Sequence, residues 1–149
     1  MTRTQELVEI PARSAAELAR TYVALWNEPD ADRRRRMIAR LWTEDGRHVL
    51  QPPQEMNEIA AQPGIAMTAI LEARGHEAIE ARATSVYEHW VDSEGLSFRG
   101  RDDADRLGDV VKLHWEAVAK DGTVFAVGLS VLVLAVDGRI DRDYTFIVG

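Results

Sequence analysis

His114 and Glu116 stand two residues apart in a segment whose apolar and polar residues alternate, as is typical of a β-strand. The side chains of such a pair point to one face, where they can meet Asp143 on a neighbouring predicted strand. A carboxylate with a histidine suffices for general acid–base catalysis, because one group activates water while the other protonates a leaving oxygen. Burial must also move the pKa of the carboxylate toward neutrality. The spacing therefore predicts a catalytic group of His114, Glu116 and Asp143.

The same segment supports a second interpretation. Trp115 alternates with His114 and Glu116, so simple patterning buries the tryptophan and exposes its two polar neighbours to solvent. Asp143 follows Arg142, and a carboxylate in that position equally suits a surface ion pair with an arginine. The choice between the catalytic and the solvent-exposed interpretation depends on which face of this strand lies on the concave side of the sheet. The sequence leaves this open.

The composition limits the classes of partner. The chain has 149 residues, the usual size of a single domain, and no cysteine to form a disulfide, a thiolate nucleophile or a cysteine metal site. The formal net charge of −7, from 18 basic and 25 acidic residues, disfavours binding to nucleic acid or to an anionic membrane. Neutral or weakly polar molecules are better partners, and a reducing cytoplasm is the expected compartment.

The other polar residues do not suggest a cofactor. His48, His76 and His89 lack the spacing of metal ligands, and each is interpreted as a surface or packing histidine. The aspartates in residues 102–105 lack the glycine and the terminal glutamate of a calcium loop. The arginines at 33–36 point around most of a helix, which indicates a solvated face rather than a nucleic-acid site. We therefore expect neither a metal nor a cofactor.

Helices are predicted in the first part of the chain. Ser14 and Glu17 have the spacing of a capping box at the start of a first helix. Asp30 caps a second helix, which is expected to end near Gly46. A further helix is predicted over residues 77–90, where apolar side chains recur at helical spacing.

Strands are predicted in the rest of the chain. A short strand at 47–51 stops at two prolines, and residues 54–74 suggest two short helices or a flap that lids a cavity. Further strands are predicted at 96–101, 109–119, 123–136 and 139–148, joined by polar turns. Helices first and an antiparallel meander last are typical of an α+β domain.

Four short motifs resemble the SnoaL-like branch of the nuclear-transport-factor-2-like superfamily. They are YVALWN at 22–27, LWTEDG at 41–46, GHEAI at 75–79 and DGRI at 137–140. The resemblance covers residues 14–149 and implies one SnoaL-like α+β domain over 1–149, with 1–13 as a loose leader. In that fold a cone-shaped, curved antiparallel sheet wraps around N-terminal helices and leaves a central pocket. Members include isomerases, cyclases and epoxide hydrolases, so the fold does not fix the reaction.

The resemblance also implies roles for single residues. Residues 142–144 look like the Arg-Asp-Tyr of limonene epoxide hydrolases, which makes Asp143 the leading catalytic candidate. The Arg-x-Asp pair of those enzymes falls on His114 and Glu116. The resemblance to ketosteroid isomerase aligns Tyr22 with the tyrosine of the oxyanion hole, but the proton-shuttling aspartate of that enzyme falls near Leu50. The isomerisation would therefore lack its base, and the acid of SnoaL-type polyketide cyclases is likewise displaced.

A pocket for a flat or terpenoid-like molecule is predicted from aromatic and thioether side chains, which adapt to such shapes. The same side chains equally suit a hydrophobic core. The residues are Tyr22, Trp26, Trp42, Met56, Met67 and Trp90.

The segment 124–136 is apolar at both alternating positions, which predicts a strand covered on both faces and a homodimer through the convex sheet. The sequence thus favours a cofactor-independent acid–base enzyme of hydrolase, cyclase or isomerase type that acts on a small hydrophobic, polyketide- or terpenoid-like substrate. The alternative is a non-catalytic binding or dimerisation module of the same fold.

Overall fold

A computed structural model describes residues 14–52 and 70–149, which form helices packed on one curved sheet. The predicted leader, residues 1–13, lies outside the described residues. The predicted lid at 54–74 also lies outside them, except for residues 70–74.

The first two helices begin at the predicted caps. Helix α1 spans Ala15–Asn27, and the hydroxyl of Ser14 accepts a hydrogen bond of 3.1 Å from the Glu17 amide. Helix α2 spans Ala31–Leu41, and the carboxylate of Asp30 accepts from the amides that open it. Both caps satisfy donors that a helix cannot pair internally. The sequence alone therefore located both helix starts.

The end of α2 was predicted near Gly46 but lies at Leu41, because Gly46 belongs to strand β1 (Trp42–Leu50). The pairing register between β1 and the last strand shifts between Trp42 and Arg47, as at a β-bulge. A Cβ atom at position 46 would lie 2.8 Å from the Trp42 ring and 3.0 Å from a backbone oxygen. The glycine thus allows close packing inside a strand rather than ending a helix.

The sheet contains seven strands among the described residues, in the order β2-β1-β7-β6-β5-β3, with β4 also paired to β5. Strands β1 and β7 run parallel, and the other pairs are antiparallel. The sheet is therefore mixed, whereas a purely antiparallel sheet was expected. The later strands are β2 (Leu71–Arg74), β3 (Ser97–Gly100), β4 (Asp105–Leu107), β5 (Val110–Val118), β6 (Val124–Leu134) and β7 (Ile140–Ile147).

Two of these strands were not predicted as strands. Strand β2 lies at the end of the segment interpreted as short helices or a flap, and β4 begins at Asp105, the last residue of a predicted polar turn. Both are short edge strands whose partners are β1 and β5. Strands β3, β5, β6 and β7 fall within the predicted ranges.

The third helix, α3, spans His76–Val86 and continues into a π-helical turn at Tyr87–Ser93. The helices pack against the concave face of the sheet, where the core lies. Its fully buried aliphatic side chains are Leu18, Leu25, Ile38, Leu41, Ile79, Val111, Leu113, Leu132 and Ile140.

Candidate functional site

A largely apolar cavity of about 210 Å³ opens between the helices and the concave face of the sheet. Its walls come from α1, α3, the π-helical turn and five strands of the sheet. Cavities of this kind are typical of small-molecule sites, with few polar groups set among apolar side chains. The lining residues are Tyr22, Val23, Trp26, His48, Leu50, Arg82, Val86, Trp90, Leu96, Phe98, Trp115, Ala117, Phe125, Ala126, Thr145 and Ile147.

The carboxyl group of Asp143 lies behind the inner wall of this cavity, with none of the residue exposed. Strand alternation turns Asp143 and Thr145 to the concave face of β7. The hydroxyl of Tyr22 donates to Oδ2 of Asp143 at 2.6 Å, and the Thr145 hydroxyl donates to Oδ1 at 2.8 Å. Both carboxyl oxygens therefore have partners despite complete burial.

A chain of hydrogen bonds leads to Asp143 from the opposite wall. The indole Nε1 of Trp115 donates to Oγ of Ser130 at 3.1 Å. Ser130 lies 2.9 Å from the Thr145 hydroxyl and 3.0 Å from that of Tyr22. Because Tyr22 and Thr145 use their protons on Asp143, the single hydroxyl proton of Ser130 can be donated to only one of these two oxygens at a time. The hydrogen bonds thus form a chain that ends at the carboxyl group.

Burial dominates the electrostatics of Asp143. It raises the pKa of the carboxyl group from 3.8 to about 7, against the opposing effects of Tyr22, Thr145 and the Arg82 charge. Burial also raises the pKa of Tyr22 well above its usual value, and the nearby Asp143 adds to this shift. Tyr22 therefore keeps its proton, while Asp143 can gain or lose one near neutral pH.

His48 is the nearest further titratable group, with Nε2 at 3.7 Å from Oδ2 of Asp143. Its Nδ1 lies 2.9 Å from Nη1 of Arg82. An arginine only donates, so Nδ1 accepts and the imidazole proton must lie on Nε2, toward Asp143. Burial and the Arg82 charge lower the pKa of His48 to about 3. The ring is therefore neutral, and its contact with Asp143 is polar rather than a salt bridge.

Comparison with solved structures shows the same architecture in several other proteins. A protein of the SnoaL-like family from Agrobacterium tumefaciens superimposes with a TM-score of 0.69 at 27% identity, covering 89% of this chain and 95% of that chain. A SnoaL-like protein of unknown function from Burkholderia thailandensis gives 0.61 at 21% identity, covering 91% and 94%. The chain has the fold of the SnoaL-like branch of the NTF2-like superfamily. An NTF2-like protein of unknown function from Mesorhizobium loti also superimposes, with a TM-score of 0.56 at 17% identity and 91% of each chain covered.

No family model and no curated protein matches this sequence. The relationship is therefore carried by the fold, and the activity must be argued from the site itself.

The predicted meeting of His114 and Glu116 with Asp143 is not found in the structure. Trp115 points into the cavity, so its two neighbours on β5 point away from it. The backbone amide and Nδ1 of His114 both bond Asp103, at 2.9 and 2.5 Å. Glu116 forms ion pairs with Arg99 of β3 and with Arg101, which directly follows that strand. Alternation places the pair on one face of β5, and the packing of the helices on the opposite face turns that face outward.

The predicted pocket residues separate into three groups. Tyr22, Trp26 and Trp90 line the cavity, whereas Trp42 is wholly buried behind it and packs against the rings of Tyr22 and His48. Met56 and Met67 lie outside the described residues.

Sequence reasoning missed His48 and Arg82 as site residues. A signal for His48 was present, since it stands two residues before Leu50, on the strand face where the isomerase resemblance placed a catalytic group. Arg82 lacked such a signal, because its position on α3 becomes informative only when that helix is packed against β1.

Across residues 14–52 and 70–149, no cluster of three or more histidines or acids is arranged to hold a metal ion. Within the same part of the chain, no helix is long and apolar enough to cross a membrane.

Proposed function

We propose that the chain is a cofactor-independent enzyme that moves protons on a small hydrophobic substrate by means of Asp143. The observation that carries this proposal is a buried carboxyl group with a pKa raised to about 7, hydrogen-bonded to a tyrosine that lines an apolar cavity. A pKa near the working pH is what an acid–base catalyst requires. Hydrolase, cyclase and isomerase reactions that proceed by acid–base catalysis use such a group.

Tyr22 connects Asp143 to the cavity. When Asp143 is protonated, its proton can be donated to Oη of Tyr22, at 2.6 Å, which frees the phenol proton for a substrate oxygen. The pair then acts as an acid, and the ionised carboxylate takes the proton back in the reverse direction. The neutral His48, with its proton on Nε2, offers a second donor at the same end of the cavity.

The size of the cavity favours a single-ring substrate. A dry apolar cavity of roughly 150 Å³ binds benzene, and the cavity bounded by the described residues is about 210 Å³. Cyclic terpenoids and small ketones match this volume better than a four-ring steroid does. Trp26, Trp90 and Phe98 supply flat apolar walls for such a ring.

A second candidate function is a non-catalytic binding module of the same fold. One observation favours it: Asp143 does not line the cavity, and both its oxygens are bonded within the protein. In such a module the carboxyl group would serve to order Tyr22 and Thr145. The module would still bind small hydrophobic molecules.

The test is turnover by the purified full chain on single-ring epoxides, and deuterium exchange of single-ring ketones in D₂O, both followed by NMR. Asp143→Asn should lower the rate by about 10²–10⁴-fold, as expected for the loss of one positioned acid–base group. Asp141→Asn is the matched control, on the same strand but half exposed. Tyr22→Phe should also lower the rate, while Tyr144→Phe should not.

Two results would decide against the enzyme. Undiminished turnover by Asp143→Asn would remove the carboxyl group from the mechanism. Saturable quenching of tryptophan fluorescence by these compounds, with turnover of none of them, would favour the binding module, since three tryptophans line the cavity.

A further inference from the structure

Arg82 places a positive charge on the wall of the cavity. It projects from α3, is half-buried, and lines the cavity together with apolar and aromatic side chains. Among residues 14–52 and 70–149 no carboxylate lies within ion-pair distance of its guanidinium group. Buried charges in proteins are normally paired, because an uncompensated charge in an apolar environment is costly.

The hydrogen bonds of Arg82 leave part of the guanidinium group available. All three of its bonds are made by Nη1, to Nδ1 of His48 at 2.9 Å, to the His48 carbonyl at 2.8 Å and to the Leu71 carbonyl at 3.2 Å. Within the described residues Nε and Nη2 make none. These bonds hold the group in place, while its remaining N–H donors have the geometry that carboxylates accept in pairs.

The neighbouring titratable groups offset the charge of Arg82 only in part at neutral pH. Asp143 is the nearest acid that acts on its charge, and burial raises the pKa of that acid to about 7. His48 is neutral, because burial and Arg82 lower its pKa to about 3. Among the described residues, the cavity therefore carries a positive charge that no carboxylate fully pairs with, and a bound anion would pair with it.

We propose that the cavity binds small hydrophobic carboxylic acids as their anions, with the carboxylate on Arg82 and the apolar body against Trp26, Trp90 and Phe98. This names the substrate class of the proposed enzyme and rests on the same cavity. The proposed binding of carboxylates can be tested without turnover, because binding and catalysis are measured separately.

Anion binding should be coupled to the protonation of Asp143. The groups that face Asp143 are Tyr22 from α1, His48 from β1, Arg82 from α3, and the hydroxyls of Ser130 and Thr145. Tyr22 stays protonated and His48 neutral, so Asp143 is the member that titrates near pH 7. Its ionisation adds a negative charge that competes for Arg82. Affinity for an anion should therefore fall as the pH rises from 6 to 8, by up to roughly tenfold per pH unit.

The experiment compares cyclohexanecarboxylate with the neutral cyclohexanecarboxamide, using the full chain and isothermal titration calorimetry. The acid should bind about 10- to 100-fold more tightly, as expected for a charge-assisted hydrogen bond to arginine. Arg82→Gln should lower the affinity for the acid to that for the amide, and Arg82→Lys should restore part of the difference. Arg36→Gln, an exposed site on α2 with the same change in charge, should bind like the wild type.

Equal affinity of the wild type for acid and amide would overturn the inference, as would an advantage for the acid that survives in Arg82→Gln. If Arg82→Gln does not fold, the comparison of the two ligands and the pH series on the wild type still decide. Tight binding of the acid without turnover would support the inference while contradicting the proposed enzyme. Turnover of neutral ketones, together with equal binding of the acid and the amide, would support the proposed enzyme while contradicting the inference.

Discussion

Nε2 of His48 lies 3.7 Å from Oδ2 of Asp143 in the core. Burial raises the pKa of Asp143 and lowers that of His48, so it favours the neutral form of each. In the unfolded chain between pH 3.8 and 6.5 the aspartate is ionised and the histidine is protonated. In the folded chain both are neutral, so the two states bind the same number of protons. Stability depends on pH only where these numbers differ, so the contributions of the two residues cancel across this range.

Asp143→Asn should make the contribution of His48 visible. With the carboxyl group gone, the unfolded state binds one more proton below pH 6.5, since the pKa of folded His48 is about 3. The free energy of unfolding should then fall as the pH is lowered, relative to the wild type, by up to about 1.4 kcal/mol per pH unit. Urea unfolding at pH 4.5, 5.5 and 6.5 measures this, and taking the difference from the wild type removes the effect of other acids.

His48→Gln should show the opposite slope. Of the two residues only Asp143 then remains, and its pKa differs between the folded and unfolded states. Between pH 3.8 and about 7, Asp143 holds a proton in the folded state that it has lost in the unfolded state. The free energy of unfolding should therefore fall as the pH rises through this range. If both variants follow the pH dependence of the wild type, the pair does not titrate as described.

At the scale of elements, the wall of the cavity depends on how closely β5 and β6 pack. Trp115 of β5 lies opposite Gly128 of β6, and its ring covers the glycine. A Cβ atom at position 128 would lie 2.0 Å from that ring. The absence of a side chain there therefore lets the indole lie flat and reach Ser130.

Gly128→Ala should displace Trp115, break its bond to Ser130 and reshape the cavity. Overpacking of this kind typically costs about 1–3 kcal/mol. Gly100→Ala is the matched control, since it also lies in a strand but its nearest neighbour would be 3.8 Å away. Urea unfolding should show a lower free energy of unfolding for Gly128→Ala alone. Equal stability of the two variants would mean that Trp115 is free to move.

At the scale of the whole molecule, the convex face of the sheet presents an apolar stripe. Residues 128, 130, 132 and 134 of β6 are buried on the concave side, so the alternate side chains face outward. Those side chains, with Phe146 of β7, extend the stripe across two strands. The outward residues of β6 are Val127, Leu129, Val131 and Val133. A stripe of this kind is typical of a protein interface, and we propose that it forms a homodimer.

Leu129→Glu should convert that dimer to a monomer, because it places a charge in the middle of the stripe, opposite His114 and Phe146. Val136→Glu is the control, since Val136 is fully exposed in a turn away from the stripe. Sedimentation velocity at micromolar concentration should give a dimer for the wild type and for Val136→Glu. A monomeric wild type would refute the proposal.

Much of the fold follows from local sequence. The caps at Ser14 and Asp30 and the ranges of β3, β5, β6 and β7 depend on residues close together in the chain, and they were predicted correctly. The motifs also singled out Tyr22 and Asp143, which are hydrogen-bonded to each other in the core, but they did not predict that the two side chains meet. Short-range patterns of this kind carry their own physical cause, whether a cap, a turn or a period of two.

Tertiary structure decided the rest, because it depends on contacts between distant parts of the chain. The parallel pairing of β1 with β7 joins segments about a hundred residues apart, and it brings His48 to Asp143. The pattern around Trp115 indicates that β5 has two faces, but the packing of the helices determines which face is concave. The same packing turned His114 and Glu116 away from the cavity. A period of two specifies alternation along a strand, whereas the direction of a face is set by what the sheet curves around.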